Sequence, residues 1–161
     1  MNRPDAERSG SVTPSRGEEK REISGAIENL LEAQRFAMSI RPKVCGFPYL
    51  AETLRQAGVT RNVWSLPSLQ SLYLTERGPV IVQGTPLASG AVDVPKFDRD
   101  GLVRALRTDQ AGESTFAEFL QSAWRSGVIG YEADFALRRV TYFGATGEQY
   151  VEDYPAVEVI R

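Results

Sequence analysis

A weak internal repeat constrains the fold of this chain more than any other feature of its sequence. When the 161-residue chain is aligned with itself at an offset of 69 residues, six of 37 ungapped positions from residue 47 to residue 83 are identical. The identities pair Phe47 with Phe116, Gly58 with Gly127, Val59 with Val128, Tyr73 with Tyr142, Gly78 with Gly147, and Val82 with Val151. They fall on predicted helix faces, helix ends, strands and turns. The pattern therefore predicts two copies of one structural unit.

Each copy has the pattern of two helices followed by three strands. Apolar residues at three- and four-residue steps predict a first helix from Glu22 to about Ile40, which Pro42 ends. The other predicted elements of the first copy are a helix at 48–57 and strands at 59–66, 69–75 and 79–83. Those of the second copy are helices at 99–109 and from Phe116 to the stop at Gly127, then strands at 128–135, 138–143 and 148–152. We expect an α+β fold with a duplicated helix-helix-three-strand unit, in which the strands form either one largely antiparallel sheet of six strands or two three-stranded sheets, with helices on one face.

The repeats cover about 22–83 and 98–152, and we assign residues 22–161 to a single domain. Residues 1–21 contain only three apolar residues, Met1, Ala6 and Val12. Such a segment cannot offset the entropy of ordering, so it is predicted to be a disordered tail. The chain has one cysteine, no signal-peptide pattern and no run long enough to cross a membrane, so a cytoplasmic location without membrane partners is expected.

The absence of histidine excludes most familiar active sites. It removes Ser-His-Asp and Cys-His pairs and histidine-based zinc sites, and a single cysteine removes thiolate clusters. No phosphate-binding loop or dinucleotide fingerprint is present, so no cofactor, metal or catalytic residue is assigned. A formal net charge of -2 gives no field that attracts nucleic acid. The sequence favours a protein that is not an enzyme.

Two features allow a structural and a functional interpretation. Carboxylates outnumber bases after Gly127, which indicates a solvated face with cross-strand ion pairs, or alternatively a divalent-cation site. Cys45 lies near Arg41 and Lys43, which could make the thiol reactive; without a histidine partner, a buried structural cysteine is the preferred interpretation. In the predicted strand from Val128, Ile129 is expected to face the core together with the alternate residues that follow it.

Two groups of residues are candidates for a ligand site. Gly112 predicts a helix stop, and Thr115 with Glu118 a capping box, which leaves the polar residues between the helices less explained. They are Arg107, Asp109, Gln110 and Glu113. We interpret them either as surface residues of the turn between the two helices or as the polar wall of a cleft. The second group would approach the first across a pseudo-twofold axis, and comprises Asn62, Trp64, Tyr73, Tyr131 and Tyr142. The alternative is that the tyrosines pack in two separate half-cores. The counterpart of Trp64 is the small Ala133, and this size difference leaves either a hollow beside Ala133 or a space that the tryptophan fills.

Four long stretches carry a resemblance to a known family. They are RPKVCGFPYLAETLRQAGVTRNVWSLPS, SLYLT, ALRTDQAGESTF and YFGATGEQYVEDYPAVEV. Together they resemble the YbcV-like family of small bacterial and prophage proteins, often labelled phage envelope protein, over about Ile23 to Val159. The resemblance implies a compact α+β domain; the family has no established activity, so no site residue is carried over.

The function expected first is a non-catalytic module that binds a small molecule or a peptide where the two repeats meet. The alternative is a phage-derived structural or interaction protein that acts through self-association, for which a homo-oligomer is allowed. A carboxylate-based enzyme comes third. A concave aromatic pocket would favour the first function, and a flat exposed apolar patch the second.

Overall fold

The computed structural model describes the backbone of residues 16–161 and the side chains from Gly25 onward. The elements are α1 (Arg16–Ile40), α2 (Phe47–Gln56), β1 (Val59–Ser65), β2 (Gln70–Thr75), β3 (Val80–Gln83), α3 (Arg99–Gln110), α4 (Phe116–Arg125), β4 (Val128–Asp134), β5 (Arg139–Gly144) and β6 (Gln149–Asp153). The predicted α+β class and the order of two helices and three strands, twice, are confirmed. Helix α1 begins six residues before the predicted start. The predicted tail falls largely on residues 1–15, which lie outside the described residues.

The six strands form one antiparallel sheet in the order β3-β2-β1-β4-β5-β6. The two copies meet at the central β1–β4 pair, where Asn62 faces Ala133 and Trp64 faces Tyr131. Replacing each residue by its counterpart 69 positions away turns the first pair into the second. Val63 and Glu132, which are each other's counterparts, also face one another. A pseudo-twofold axis therefore passes through this pair, and the open alternative of two separate sheets is wrong.

Backbone irregularities repeat at the same offset. The β1–β2 ladder is interrupted between Val59 and Arg61, and the β4–β5 ladder at the corresponding place. Leu69 and Arg138, also 69 residues apart, both have positive φ angles, of 51° and 52°. Since non-glycine residues rarely adopt this conformation, its recurrence at equivalent turns supports the duplication independently of sequence identity.

The third strands depart from the offset by one residue. Tyr73 faces Val80 in the first copy, whereas Tyr142 faces Tyr150 in the second. The second turn is therefore one residue longer, and structural counterparts in β3 and β6 are 70 residues apart. The sequence alignment of Val82 with Val151 is corrected accordingly, because Val82 occupies the position that Glu152 has in the second copy.

Helices and alternate strand residues share one core, while the other face of the sheet is open. Buried residues from α1 to α4 cluster with inward residues of every strand except β6, among them Val80, Tyr73, Tyr131, Ala133 and Val140. The opposite surface, here called the outer face, carries Leu72, Val63, Glu132 and Thr141 at its centre and Ile81 and Val151 on the edge strands. Those two edge residues are exposed. Among the described residues, no helix is long and apolar enough to cross a membrane.

Capping interactions fix the two helices of the second copy. The Asp98 carboxylate accepts a hydrogen bond from the backbone N–H of Gly101 at 3.0 Å. Thr115 and Glu118 form the expected capping box, and Gly112 has a φ of 73° at the helix stop. These residues satisfy backbone groups that the helix ends leave unpaired. Gly112 thus ends one helix, and Thr115 and Glu118 begin the next, as the sequence predicts.

Two local expectations are wrong. Ile129 is only half-buried, because the irregularity between Val128 and Gly130 changes the alternation and turns Val128 into the core. Cys45 is exposed rather than buried. It lies in the α1–α2 loop with a φ of 52°, and its backbone N–H donates to the carbonyl oxygen of Gln110 at 2.8 Å. The backbone of this residue, rather than its thiol, holds the loop in place.

The carboxylates after Gly127 take part in ion pairs across the strands. Arg61 contacts Glu132 at 2.9 Å and Asp134 at 3.6 Å, and Arg139 contacts Asp153 at 2.8 Å. In the part of the chain that the structure describes, no three His, Cys, Asp or Glu side chains are grouped so that they could hold a metal ion.

Candidate functional site

A row of aromatic rings crosses the helix-covered face of the sheet. Trp64, Tyr131, Tyr142 and Tyr150 are cross-strand neighbours on β1, β4, β5 and β6. Their ring centroids follow at 6.0, 5.3 and 6.2 Å, and Phe116 of α4 packs edge-on against Trp64 at 5.4 Å. We call these four strand residues the aromatic row. Offset and edge-on aromatic contacts of this kind favour a fixed geometry beyond simple area burial.

Hydrogen bonds fix Trp64 at one end of the row. Its indole Nε1–H donates to Oδ1 of Asn62 at 2.7 Å, and Nδ2 of Asn62 donates to the carbonyl oxygen of Leu72 at 3.2 Å. Asn62 is buried, and both polar atoms of its amide already have hydrogen-bond partners within the chain. Tyr73 lies outside the row, where its hydroxyl accepts a hydrogen bond from Nε2 of Gln34 at 3.3 Å.

A small apolar pocket opens beside Trp64. It encloses about 170 Å³ and is lined by Trp64, Leu69, Val82, Gly84, Phe116, Ala117 and Leu120. We call it the Trp64 pocket. Val82 and Phe116 are 39% and 47% exposed, so the pocket is reached directly from solvent. None of its lining residues carries an ionisable side chain, which makes it a place for binding rather than for acid–base chemistry.

A polar cluster lies beside the position that corresponds to this pocket in the second copy, because Glu152 is the counterpart of the lining residue Val82. Arg107 of α3 forms an ion pair with Glu152 of β6 and donates a hydrogen bond to Oε1 of Gln110 at 2.7 Å. Nε2 of Gln110 donates to Oε1 of Glu152 at 3.2 Å. We call Arg107, Gln110 and Glu152 the Glu152 cluster. The hydrogen bond to Glu152 raises the pKa of Arg107. The second carboxylate oxygen of Glu152 is buried without a hydrogen-bond partner among the described residues.

Asp109 is half-buried, and its charge acts on two rings of the aromatic row. Burial raises the pKa of its carboxyl group, an effect that Arg41 and Ser114 partly oppose. Burial also raises the pKa of Tyr131 and Tyr142, and the negative charge of Asp109 contributes to both shifts. Both hydroxyls therefore stay protonated at neutral pH, so neither tyrosine can act as a base there.

The structure brings together some of the residues proposed from sequence. Trp64, Tyr131 and Tyr142 share the aromatic row, and Asn62 supports its end. Arg107 and Gln110 join Glu152 near the opposite end, with Asp109 beside them. Glu113 is exposed and lies apart from both groups.

The pocket residues other than Trp64 were missed. Gly84 lies in a stretch whose composition indicates a loop, and its closeness to Leu69 depends on the one-residue shift of β3, which a constant offset of 69 hides. Phe116 had a detectable signal as one of the six identities of the repeat, but that signal indicated a helix face in the core. Glu152 was noticed only as one of several surface carboxylates.

A larger groove of about 430 Å³ runs between α3 and α4. It is wide and lined mainly by polar residues, with Arg104 73% exposed and 3.8 Å from Asp98. A flexible, exposed ion pair of this kind fixes a ligand poorly. The Trp64 pocket, which is smaller and walled by ordered aromatic rings, is the better candidate site.

Comparison with known sequences identifies close relatives. No family model matches the chain. The uncharacterized protein Rv2012 of Mycobacterium tuberculosis is 55% identical over 136 residues, which cover 84% of this chain and 83% of the relative. The uncharacterized protein Mb2035 of Mycobacterium bovis matches with the same identity and coverage.

Proposed function

This chain belongs to the family of the mycobacterial proteins Rv2012 and Mb2035, and for it we propose a non-catalytic binding function. Its ligand is a small apolar molecule or an apolar side chain of a peptide, and the site is the Trp64 pocket. The observation that carries the proposal is an open pocket of about 170 Å³ lined only by apolar side chains and one glycine.

The size of the pocket limits what it can hold. An apolar cavity of about 150 Å³ accommodates benzene, whereas drug-sized ligands occupy about 300–1,000 Å³. The ligand, or the part of it that enters, is therefore a single ring or a short branched chain. Burying about 150 Å² of apolar surface gives roughly 4 kcal/mol, which corresponds to a dissociation constant near 1 mM for such a fragment alone.

The ionisable groups of the aromatic row and of the Glu152 cluster support binding rather than catalysis. Tyr131 and Tyr142 stay neutral, and Arg107 is committed to Glu152. An acid or base close to a bound ligand is missing from the pocket walls. A carboxylate-based enzyme, the third possibility raised by the sequence, thus gains no support from this site.

The test follows the indole N–H signal of Trp64 by NMR while benzyl alcohol or cyclohexylmethanol is added. Binding of either probe should shift this signal more than that of Trp124, which is not part of the pocket wall. Ala117→Leu, which adds bulk at an exposed lining position of α4, should weaken binding at least about fivefold. Ala136→Leu makes the same change at an exposed turn of the other copy and serves as the matched control. If neither probe shifts the Trp64 signal, the proposed function is wrong.

A second candidate function is self-association through the outer face. The face carries half-buried Val63, Leu72, Leu74 and Phe143 between the exposed edge residues Ile81 and Val151. Ile81 and Val151 are equivalent under the pseudo-twofold axis, so both edges offer the same kind of apolar contact. Native mass spectrometry should then show a dimer that Leu72→Lys dissociates and Leu137→Lys, at an exposed turn, does not. The YbcV-like resemblance, the phage label and a cytoplasmic location stay predictions.

A further inference from the structure

We propose that the Trp64 pocket selects a free small molecule that presents an unsubstituted aromatic ring. This inference rests on the proposed binding function and adds the chemical class of the ligand. It follows from the pseudo-twofold axis, because the second copy shows what fills the equivalent space. The structural counterpart of Gly84 is Tyr154, whose ring packs there.

The equivalence of Gly84 and Tyr154 is set by hydrogen bonds and register. The backbone N–H of Gly84 donates to the carbonyl oxygen of Leu69 at 2.8 Å, and that of Tyr154 donates to the carbonyl oxygen of Arg138 at 3.0 Å. Leu69 and Arg138 are counterparts with the same left-handed backbone. The two residues therefore leave the third strand at the same point in each copy.

The Tyr154 ring packs as a ligand ring would. Its centroid lies 5.1 Å from that of Phe47 with an interplanar angle of 85°. Phe116, the counterpart of Phe47, lines the Trp64 pocket and makes a similar edge-on contact with Trp64. In the second copy Ala133 stands where the first copy has Trp64, and the ring that meets Phe47 is that of Tyr154, which leaves the chain at the counterpart of Gly84.

The chain cannot fill the Trp64 pocket in the same way. A Cβ atom at Gly84 would lie 2.9 Å from Cδ2 and 3.0 Å from the carbonyl oxygen of Leu69, so any side chain requires a shift. The backbone at Gly84 follows the same course as the backbone at Tyr154, but it carries no ring. An occupant must therefore enter from solvent past Val82 and Phe116. A free small molecule satisfies this condition without a second backbone beside Gly84.

The surroundings of the ring select against a phenol. Burial raises the pKa of Tyr154 to about 12; the charges of Glu52 and Asp134 also raise it, whereas those of Arg138 and Arg55 lower it. The counterparts of these charged residues in the first copy are Leu69, Gln121, Ser65 and Trp124, none of which is charged. A ring hydroxyl at the inner end of the pocket would lose water without gaining a charged partner. A ring without the hydroxyl avoids this loss.

The two aromatic walls also distinguish an aromatic ring from a saturated one. Aromatic pairs gain stability beyond their buried area, which corresponds to about a 3- to 10-fold difference in affinity. Benzyl alcohol and cyclohexylmethanol contain the same number of heavy atoms and differ only in the ring. p-Hydroxybenzyl alcohol adds the ring hydroxyl of tyrosine.

The experiment measures the dissociation constants of these three probes by the NMR shift of the Trp64 indole N–H. Benzyl alcohol should bind at least about threefold more tightly than either of the others. Val82→Glu, which introduces the residue found at the equivalent position in the second copy, should weaken benzyl alcohol binding at least about fivefold. Since Val82 is an exposed edge residue, this variant should fold, and its spectrum checks that it does.

Each outcome bears on a different statement. Equal binding of benzyl alcohol and cyclohexylmethanol, or tighter binding of p-hydroxybenzyl alcohol, overturns the ligand class while the binding function stands. Absence of binding by all three overturns both. Binding of benzyl alcohol that Val82→Glu and Ala117→Leu leave unchanged also overturns the inference, because the ring would then lie elsewhere.

Discussion

The Glu152 cluster provides a quantitative test of how the two copies differ. Its counterparts in the first copy are Met38 for Arg107, at the 69-residue offset, and Val82 for Glu152, at the shifted offset. The double variant Arg107→Met/Glu152→Val therefore gives the second copy the apolar pair of the first. The two single variants leave one half of the ion pair unmatched.

The expected energies follow from burial. The Glu152 side chain is 19% exposed and that of Arg107 is 52% exposed. In Arg107→Met the carboxylate keeps only the hydrogen bond from Gln110, so the free energy of unfolding should fall by about 1.5–2 kcal/mol. In Glu152→Val the guanidinium regains water easily, and the loss should be only about 0.5 kcal/mol. The double variant should also lose about 0.5 kcal/mol, which gives a coupling energy of about 1.5–2 kcal/mol.

Urea unfolding of the four proteins, followed by far-UV circular dichroism, measures this coupling. The exposed pair of Arg139 and Asp153 is the matched control, because an ion pair in solvent should show no measurable coupling. If the two single losses add to the loss of the double variant within about 0.3 kcal/mol, the reasoning from burial is refuted.

Three further predictions concern single residues. Ser71 has a fully buried hydroxyl without a hydrogen-bond partner among the described residues, so Ser71→Ala should keep or raise the free energy of unfolding by up to about 1 kcal/mol; a loss above about 1.5 kcal/mol in urea unfolding contradicts this. Burial raises the pKa of Asp109, so its favourable protonated form is lost as the pH rises through the folded-state pKa. Asp109→Asn should therefore raise the melting temperature at pH 7, with a difference that shrinks below about pH 4; a constant difference across pH refutes the role of ionisation. The exposed Cys45 should react with a thiol reagent in the native protein as fast as in the unfolded one. Cys45→Gly should add up to about 1 kcal/mol to the free energy of unfolding, because it removes the strain of a φ of 52°. Slow labelling, or a loss of stability in the variant, argues against this description.

The sequence predicted the features that depend on local patterns. Glycines at helix ends and turns and the capping box at Thr115 act within a few residues, and they lie where expected. The 69-residue offset also carried long-range information, since it matches the register of the central β1–β4 pair. An antiparallel pair of equivalent strands at the centre is the arrangement that a pseudo-twofold axis requires.

Other features depend on contacts that no local pattern records. The extra residue before Tyr150 shifts one strand by a single position, and with it the identity of the residue facing Leu69 or Arg138. The exposure of Cys45 depends on the backbone bond between its loop and the end of α3. Composition near Cys45 resembles a buried segment, with Val44 and Phe47 on either side, and gives no sign of that bond.

The two copies solve one pair of equivalent places in opposite ways. In the second copy, Tyr154 fills the space, and Glu152 beside it pairs with Arg107. In the first copy, Gly84 leaves the space empty and Val82 makes its edge apolar. The equivalent backbone position carries a tyrosine in one copy and no side chain in the other. Because Tyr154 fills the equivalent place in the second copy, the Trp64 pocket is a property of the first copy's side chains rather than of the fold. Substitutions at Val82 and Ala117 can therefore test its function without disturbing the core.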